Sequence, residues 1–150
     1  FNIWETLTGV ALSAEQRIND GMIDIDGLTM DEKVLVYADP DLIHQVAYNL
    51  LDNAIKFTPD GGVIRMSVRV NQGICTVIVQ DNGVGISPED RPHVFERFYT
   101  ADKAHTSGKG TGLGLSICQR IMEMHGQKIT LMDTGDEAGA AFAFTLDCAK

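Results

Sequence analysis

The sequence predicts an α+β fold, a two-layer α/β sandwich whose mixed, mainly antiparallel sheet carries helices on one face. Three stretches place apolar residues at helical spacing, and six shorter stretches alternate in polarity or lie between turn residues, as strands do. The predicted order is helix, strands, helix, hairpin, loops, helix and hairpin. With 150 residues, the chain is long enough for one domain with a hydrophobic core, which we expect over residues 1–150.

Turn and capping signals set the bounds of these elements. Asp39 or Asp41 is predicted to cap the middle helix, which a Thr-Pro-Asp-Gly-Gly turn ends. Residues 74–80 are apolar on both faces, which indicates a central strand. The last helix is predicted to bury a stripe formed by Leu113, Ile117, Ile121 and Met124. The predicted helices cover residues 3–17, 41–57 and 112–125, with a short helix or turn over 91–95, and the predicted strands cover residues 22–27, 34–37, 63–70, 74–80, 127–132 and 140–146.

The composition argues against several classes of protein. A formal charge of −9 argues against nucleic acid or an anionic membrane surface as the main partner. No apolar run approaches the roughly 20 residues of a membrane span, and we expect a cytoplasmic location. The three cysteines, Cys75, Cys118 and Cys148, are widely spaced, so buried thiols are expected rather than disulfides or a zinc site. Because the first residue is Phe1, we expect a fragment of a longer protein.

The middle helix carries a polar line that is a candidate binding surface. Asn49, Asn53 and Lys56 are spaced i, i+4 and i+7, so their side chains lie along one face. A solvated helix face is the commoner explanation for such a line. Asparagine is a mediocre helix former, however, and two in mid-helix suggest side chains selected for what they contact. Amide oxygens suit Mg²⁺ and an ammonium suits phosphate, so the line indicates a site for a magnesium-bound phosphate.

A glycine-bearing loop, DNGVGI over residues 81–86, follows the predicted central strand. Its glycines let the backbone approach a flat ligand and adopt positive φ. The carboxylate of Asp81, at the end of the strand, can accept a hydrogen bond from an exocyclic amine. A tight turn capped by an Asx motif would explain the Asp-Asn-Gly start equally well.

A second glycine run, GKGTGLGL over residues 108–115, leads directly into the last helix. Backbone N–H groups in front of a helix N-terminus form an anion site. The Walker A and GxGxxG patterns both fail, because Lys109 is followed by Gly110 and Leu113 stands where the last glycine is required. A flexible linker is the alternative, which the periodic helix immediately afterwards makes less favoured.

An aromatic segment, FERFY over residues 95–99, precedes this second run. It is predicted to pack as a small cluster that anchors a loop. The polar stretch that follows is expected to be mobile. Lys103, His105 and Lys109 in that stretch could reach a triphosphate, although a solvated loop surface would explain them as well.

With these blocks together, the chain resembles the catalytic and ATP-binding domain of sensor histidine kinases. That domain belongs to the GHKL superfamily, with DNA gyrase, mismatch-repair ATPases and a heat-shock chaperone, and has the Bergerat-type ATP-binding fold. NLLDNAIKF from Asn49 resembles the N box, DNGVGI from Asp81 the G1 box, FERF from Phe95 the F box and GKGTGLGLSI from Gly108 the G2 box. The resemblance covers nearly the whole chain and implies a histidine kinase that binds ATP and Mg²⁺.

The resemblance implies a role for each matching position. Asn53 would bind Mg²⁺, Asn49 and Lys56 would lie at the phosphates to complete the catalytic set, and Asp81 would accept from the adenine amine. A glutamate takes the place of Asn49 in the hydrolytic relatives, so hydrolysis is expected to be slow here and the γ-phosphoryl reserved for a protein acceptor. The implied nucleotide site comprises Asn49, Asn53, Lys56, Phe57, Asp81, Gly83, Gly85, Ile86, Phe98, Lys103, Lys109, Gly110, Thr111, Gly112, Leu113, Gly114 and Leu115.

Two departures from the family pattern affect the stretch between the F and G2 boxes. Thr100 and His105 stand where many relatives carry arginine, a good bidentate phosphate ligand. None of the four histidines has the family's acceptor setting, so the expected partners are a separate helical hairpin domain that carries the acceptor and, through it, a response regulator. We expect the fragment to be monomeric and its parent dimeric. The alternatives are a degenerate module that senses nucleotide or docks a partner, and an anti-sigma-type serine kinase.

Overall fold

The computed structural model describes residues 1–29, 31–96, 114–134 and 139–149. Its elements follow the predicted order, and none of the helices in these ranges is long and apolar enough to cross a membrane. In chain order the elements are α1 (Ile3–Ser13), α2 (Glu15–Asp20), β1 (Asp24–Asp26), β2 (Val36–Tyr37), α3 (Pro40–Phe57), β3 (Val63–Asn71), β4 (Ile74–Asp81), a 3₁₀ turn (Arg91–His93), α4 (Gly114–Met124), β5 (Ile129–Met132) and β6 (Ala141–Cys148).

The six described strands form one mixed sheet with the order β1-β3-β4-β6-β2, and β5 also pairs with β6. Only β1 pairs in parallel, with β3, while the other described pairs are antiparallel. Strand β4 lies between β3 and β6, which confirms the predicted central strand. Its residues Cys75, Val77 and Val79 join the core beneath the helices, whereas Ile78 packs on the opposite face. The predicted sandwich with helices on one face is confirmed.

Helix α3 begins at a cap that the sequence predicts. The Asp39 carboxylate accepts hydrogen bonds from the backbone N–H groups of Asp41 (2.9 Å) and Leu42 (3.2 Å), and Pro40 occupies the first helical position. The helix packs against α1, α4 and β4. Its buried face comprises Ile43, Val46, Ala47, Leu50, Leu51 and Ala54. The polar line of α3 is therefore left at the margin of the core.

The substitution Asp39→Ala is expected to destabilise the fold by about 1 kcal/mol, because two N–H groups lose their acceptor and the helix N-terminus loses a negative charge. Thermal unfolding followed by circular dichroism should show a melting temperature lower by roughly 2–4 °C. Asp39→Asn keeps an acceptor oxygen and should lose less than half of that. Equal losses in the two variants would contradict the capping role.

The first predicted helix is divided in the structure. The backbone leaves helical geometry at Ala14 (φ −103°, ψ 10°), and a second helix, α2, then extends to Asp20. Ile18 of α2 joins the core, and Arg17 contacts α3. The single helix predicted over residues 3–17 was therefore wrong towards its end, because the helix breaks at Ala14 and the second segment ends three residues later than predicted.

The buried stripe predicted for α4 is also wrong in part. Ile117 and Met124 are 38% and 69% exposed, and Leu113 lies outside the described residues. The buried residues of α4 are Cys118, Ile121 and Met122. The physical reason is that α4 packs against α3, where the small Cys118 side chain fits and its thiol donates to the carbonyl of Val46 (3.7 Å).

The cysteines form no disulfide in the described structure, and Cys75 and Cys118 are buried as predicted, while Cys148 is half-buried. Burial raises the pKa of the Cys75 thiol to about 12, and the nearby Cys148 adds to the effect. Burial likewise raises the pKa of the Cys118 thiol to about 12. Both thiols are therefore neutral at physiological pH and behave as small core side chains.

Candidate functional site

A buried carboxylate, that of Asp81, ends the central strand β4. Its side-chain Oδ1 accepts hydrogen bonds from the backbone N–H groups of Gly83 (2.8 Å) and Ala140 (3.3 Å). Its own N–H donates to the carbonyl of Ala140 (2.9 Å), so the last strand β6 holds it on one side. In the described part of the chain no hydrogen bond reaches Oδ2, so this is the oxygen with which Asp81 can bind a ligand.

The Asp81 carboxyl group is buried, which is an unfavourable environment for its negative charge. Burial raises the pKa of this carboxyl above its ordinary value, and the hydrogen bonds from Gly83 and Ala140 act in the opposite direction. The described residues provide no cation that pairs with it. A buried acid without a counter-charge destabilises the fold, which is typical of residues retained for binding or catalysis.

The loop after Asp81 is fastened to β3 and to the end of α3. The Asn82 side chain accepts the N–H of Val63 (2.9 Å), and its backbone N–H donates to the carbonyl of the same residue (3.2 Å). A Cβ at Gly83 would lie 2.1 Å from the carbonyl oxygen of Phe57, so only glycine fits at this position. The loop therefore lies directly against the last turn of α3, next to Phe57.

Gly139 is a residue of this site that the sequence reasoning missed. Its φ is +93°, and a Cβ there would lie 1.9 Å from the carbonyl oxygen of Asp81. Gly85, at φ +75°, packs against the carbonyl of Gly139 on the other side. A glycine directly before a buried strand was the available signal, and its partner 58 positions earlier could be found only in the folded chain.

The substitution Gly139→Ala is expected to destabilise the fold by more than about 2 kcal/mol, because left-handed strain adds to a clash with backbone. Gly73→Ala is the matched control, since Gly73 also has a positive φ of +79° but a Cβ added there would meet no atom within 4 Å. Chemical denaturation of both variants separates the cost of left-handed strain from the cost of the clash with the Asp81 carbonyl. Equal losses would show that the contact with Asp81 contributes nothing.

The polar line of α3 meets the first turn of α4. A Cβ at Gly114 would lie 4.0 Å from the Cγ of Asn49. The glycine run therefore ends against Asn49. Asn53 and Lys56 follow along the same face of α3, and all three side chains are half-buried.

An ion-pair network at Asp52 is a further feature that the sequence reasoning missed. Lys56 Nζ lies 3.0 Å from Asp52 Oδ2, and Arg17 of α2 binds Asp52 Oδ1. Burial lowers the pKa of the Arg17 guanidinium, but its hydrogen bond with Asp52 and the charge of Asp52 outweigh this and raise the pKa. Two permanent cations thus share one carboxylate beside Asn53.

The 3₁₀ turn and the first residue of the aromatic segment contact strands β5 and β6. The Phe95 ring packs edge-on against that of Phe142, with centroids 5.9 Å apart and planes at 85°. Arg91 donates to the carbonyl of Met132 at 3.0 Å. Phe95 thus packs against the main core, while residues 97–99 of the aromatic segment lie outside the described ranges.

The described site residues, including the half-buried Ile86 and Leu115, lie at the end of β4, the second half of α3 and the first turn of α4. The described residues contain no group of three His, Cys, Asp or Glu side chains suited to a metal ion. The amides fit a Mg²⁺ ion that arrives with a phosphate ligand, since this ion takes few protein ligands when phosphate and water supply the others. Seven predicted residues lie outside the described ranges: Phe98, Lys103, Lys109, Gly110, Thr111, Gly112 and Leu113.

Residues 38–150 match the family model described as histidine kinase-, DNA gyrase B-, and HSP90-like ATPase. Among curated relatives, the sensor protein KdpD of Clostridium acetobutylicum is 41% identical to this chain over 117 residues. The aligned region covers 77% of this chain and 13% of KdpD. The adaptive-response sensory kinase SasA of Trichormus variabilis is 43% identical to this chain over 113 residues. That aligned region covers 74% of this chain and 27% of SasA. The chain therefore spans only a small part of either relative.

Solved structures give the same result over almost the whole chain. The catalytic domain of histidine kinase ThkA superposes with a TM-score of 0.81 at 32% identity, covering 98% of this chain and 93% of that domain. ThkA in complex with the response regulator TrrA matches at 31% identity with a TM-score of 0.78, covering 99% and 41% of the two chains. Full-length ShkA in complex with AMPPNP matches at 26% identity with a TM-score of 0.82, covering 99% and 31%. The chain belongs to the histidine kinase-, DNA gyrase B- and HSP90-like ATPase family, and within the GHKL superfamily it is a catalytic domain of the histidine kinase type.

Proposed function

We propose that this chain binds ATP with Mg²⁺ and transfers the γ-phosphoryl group to a histidine on a separate helical domain, as one step of two-component signalling. The observation that carries the proposal is the placement of two recognition groups at either end of the second half of α3. Asp81 lies beside Phe57, and the amide of Asn49 meets the start of α4. Phe57 and Asn49 are about two helical turns, or ~12 Å, apart along α3, so one ligand with a base and a phosphate chain can reach both ends.

The adenine would bind at the Asp81 end. Oδ1 of Asp81 is occupied by two backbone N–H groups, and Oδ2 would accept a hydrogen bond from the exocyclic amine. Gly83 and Gly85 present backbone there, and Phe57 would lie against the ring. A neutral 6-oxo purine carries no donor at that position, so this arrangement would select adenine.

The phosphates would bind at the Asn49 end. Asn53 would provide an amide oxygen to Mg²⁺, which in turn supplies charge neutralisation to the triphosphate. Lys56 would contribute a positive charge, and the N-terminus of α4 would contribute backbone N–H groups. The chain's part in the reaction is then to position the triphosphate and to neutralise its charge.

The site lacks a good base for activating water among the residues that the structure describes near Asn49. The Asn49 amide takes up no proton, and the Cys118 thiol, with its pKa of about 12, stays neutral. Asp52 is a carboxylate, but it forms an ion pair with Arg17, which remains when Lys56 moves to phosphate. Hydrolysis should therefore be slow, which favours transfer to a protein acceptor.

Two relatives support the proposed nucleotide and the proposed final acceptor of the phosphoryl group. ShkA binds AMPPNP, an analogue of ATP, and ThkA forms a complex with a response regulator. By analogy, we infer that this chain binds an adenine nucleotide and that a response regulator receives the phosphoryl group afterwards. The fold similarity supports this inference, and the chemistry of transfer has to be tested on the chain itself.

The decisive experiment incubates the chain with γ-labelled ATP, Mg²⁺ and a helical hairpin domain that carries an acceptor histidine. We expect label on the hairpin that is labile in acid and stable in base, as phosphohistidine is, and no label when Mg²⁺ is chelated. Acid-stable label on a serine would identify a serine kinase instead. ATP binding without label on any acceptor would identify a nucleotide-sensing module.

A further inference from the structure

We propose that Arg17 is a positioning residue for the phosphate-binding lysine: it holds Asp52 and so leaves Lys56 able to move to the triphosphate. The inference rests on the proposed binding of ATP. It assigns a role to α2, which precedes the first residue matched by the family model, residue 38.

The geometry places one carboxylate between two cations. Arg17 binds Oδ1 of Asp52, and the Lys56 ammonium lies 3.0 Å from Oδ2. The three side chains are 38%, 25% and 24% exposed for Arg17, Asp52 and Lys56, so the network lies at the protein surface but is partly shielded from water. Tyr48, one turn before Asp52, lies near Arg17 and contributes to raising the pKa of its guanidinium, after the larger effect of Asp52.

The charges explain why a second cation is needed. Asp52 directly precedes Asn53, so an unneutralised carboxylate there would repel an approaching triphosphate. With Lys56 as its only partner, Asp52 would also form a closed pair that has to be broken before the ammonium reaches phosphate. Arg17 adds one positive charge and takes one of the two oxygens. The three residues together then carry a net charge of +1, and Lys56 can leave without exposing a lone carboxylate.

Arg17 belongs to α2, which begins after the break in helical geometry at Ala14, and its side chain contacts Asp52 of α3. The guanidinium suits this task better than an ammonium, because it stays charged and offers several donors to a carboxylate.

The test is a double-mutant cycle on the whole chain, with Arg17→Met, Asp52→Asn and the pair of substitutions, and with equilibrium binding of ATP and of adenosine as readouts. We expect Arg17→Met to weaken ATP binding by about fivefold, the upper range for a partly exposed ion pair, and to leave adenosine binding unchanged. Asp52→Asn should bind ATP at least as well as the unsubstituted chain. The double variant should match Asp52→Asn, because there is then no carboxylate to trap Lys56.

Two controls separate positioning from folding. Tyr48→Phe changes a residue near Arg17 without changing the charge of the network and should bind ATP normally. Arg17→Lys should rescue part of the ATP affinity, and if Arg17→Met does not fold, the comparison of Arg17→Lys with Asp52→Asn still tests the order of affinities. Equal losses for ATP and adenosine, or no recovery in the double variant, would overturn the role of Arg17. Failure of the unsubstituted chain to bind ATP would instead overturn the proposed function.

Discussion

Replacing Asn53 with alanine is expected to remove the Mg²⁺-dependent part of ATP binding. The lost contact joins an amide oxygen to a doubly charged ion, so we expect a loss of about 2–3 kcal/mol, roughly a hundredfold in affinity. Isothermal titration with ATP should show the loss in the presence of Mg²⁺ and little change with EDTA. Alanine is the best helix former, so the variant should keep or raise the stability of α3.

A matched control for this substitution lies on the same helix. Gln45 is exposed on α3 two turns before Asn53 and has no assigned contact with nucleotide, so Gln45→Ala should bind ATP normally. Asn53→Asp keeps an oxygen ligand and should retain a Mg²⁺ requirement. An Asn53→Ala chain whose ATP affinity still depends on Mg²⁺ would show that the ion binds elsewhere.

Asp81→Asn is expected to reverse the choice of base while keeping the fold. The new amide oxygen can accept the N–H groups of Gly83 and Ala140 as Oδ1 does now, which turns the amide nitrogen toward the ligand. The new amide N–H and the exocyclic amine of adenine would then be two donors facing each other. We expect the affinity for ATP to fall by about 2 kcal/mol, roughly thirtyfold. ITP, whose 6-oxo group is an acceptor, should lose much less, so the ratio of ATP to ITP affinity is the measurement that decides.

The stability of the same variant tests the buried charge. Because burial raises the pKa of Asp81 in the folded chain from its ordinary value of 3.8, the folded state holds the proton more tightly than the unfolded state. The contribution of this group to stability therefore falls as the pH rises from 3.8 through the folded-state pKa. At pH 7 the Asp81→Asn chain should melt at the same temperature as the unsubstituted chain or higher, and the difference should vanish in acid. A clearly lower melting temperature would contradict this.

The elements that the sequence predicts well are those with a strong local signal. Helix α3 has a capping aspartate, an apolar face and a turn at its end, and its structure begins at Pro40, one residue before the predicted start. Strand β4 was predicted to be central because both of its faces are apolar, and it is. Two residues of the candidate site could be proposed for the same reason. Asp81 lies at the end of β4, and Asn49 lies on the polar face of α3.

What could not be predicted depends on contacts between distant parts of the chain. Gly139 supports Asp81 through backbone atoms alone, and no side-chain pattern records such a contact. The pairing of Arg17 with Asp52 joins residues 35 positions apart, and no local pattern in the sequence records it. Helix α4 buries a different face from the predicted one, because it packs against both α3 and β5. A single apolar stripe describes a helix with one neighbour.

The support of Asp81 by Ala140 has a consequence for the synthesis of the protein. A nascent chain that has left the ribosome only as far as α4 lacks β6, so one edge of β4 is unpaired and a hydrogen bond to the carboxylate is missing. The nucleotide site is thus fully supported only once β6 has been synthesised and has paired with β4. Folding intermediates that precede this pairing would bind the nucleotide less tightly than the folded domain.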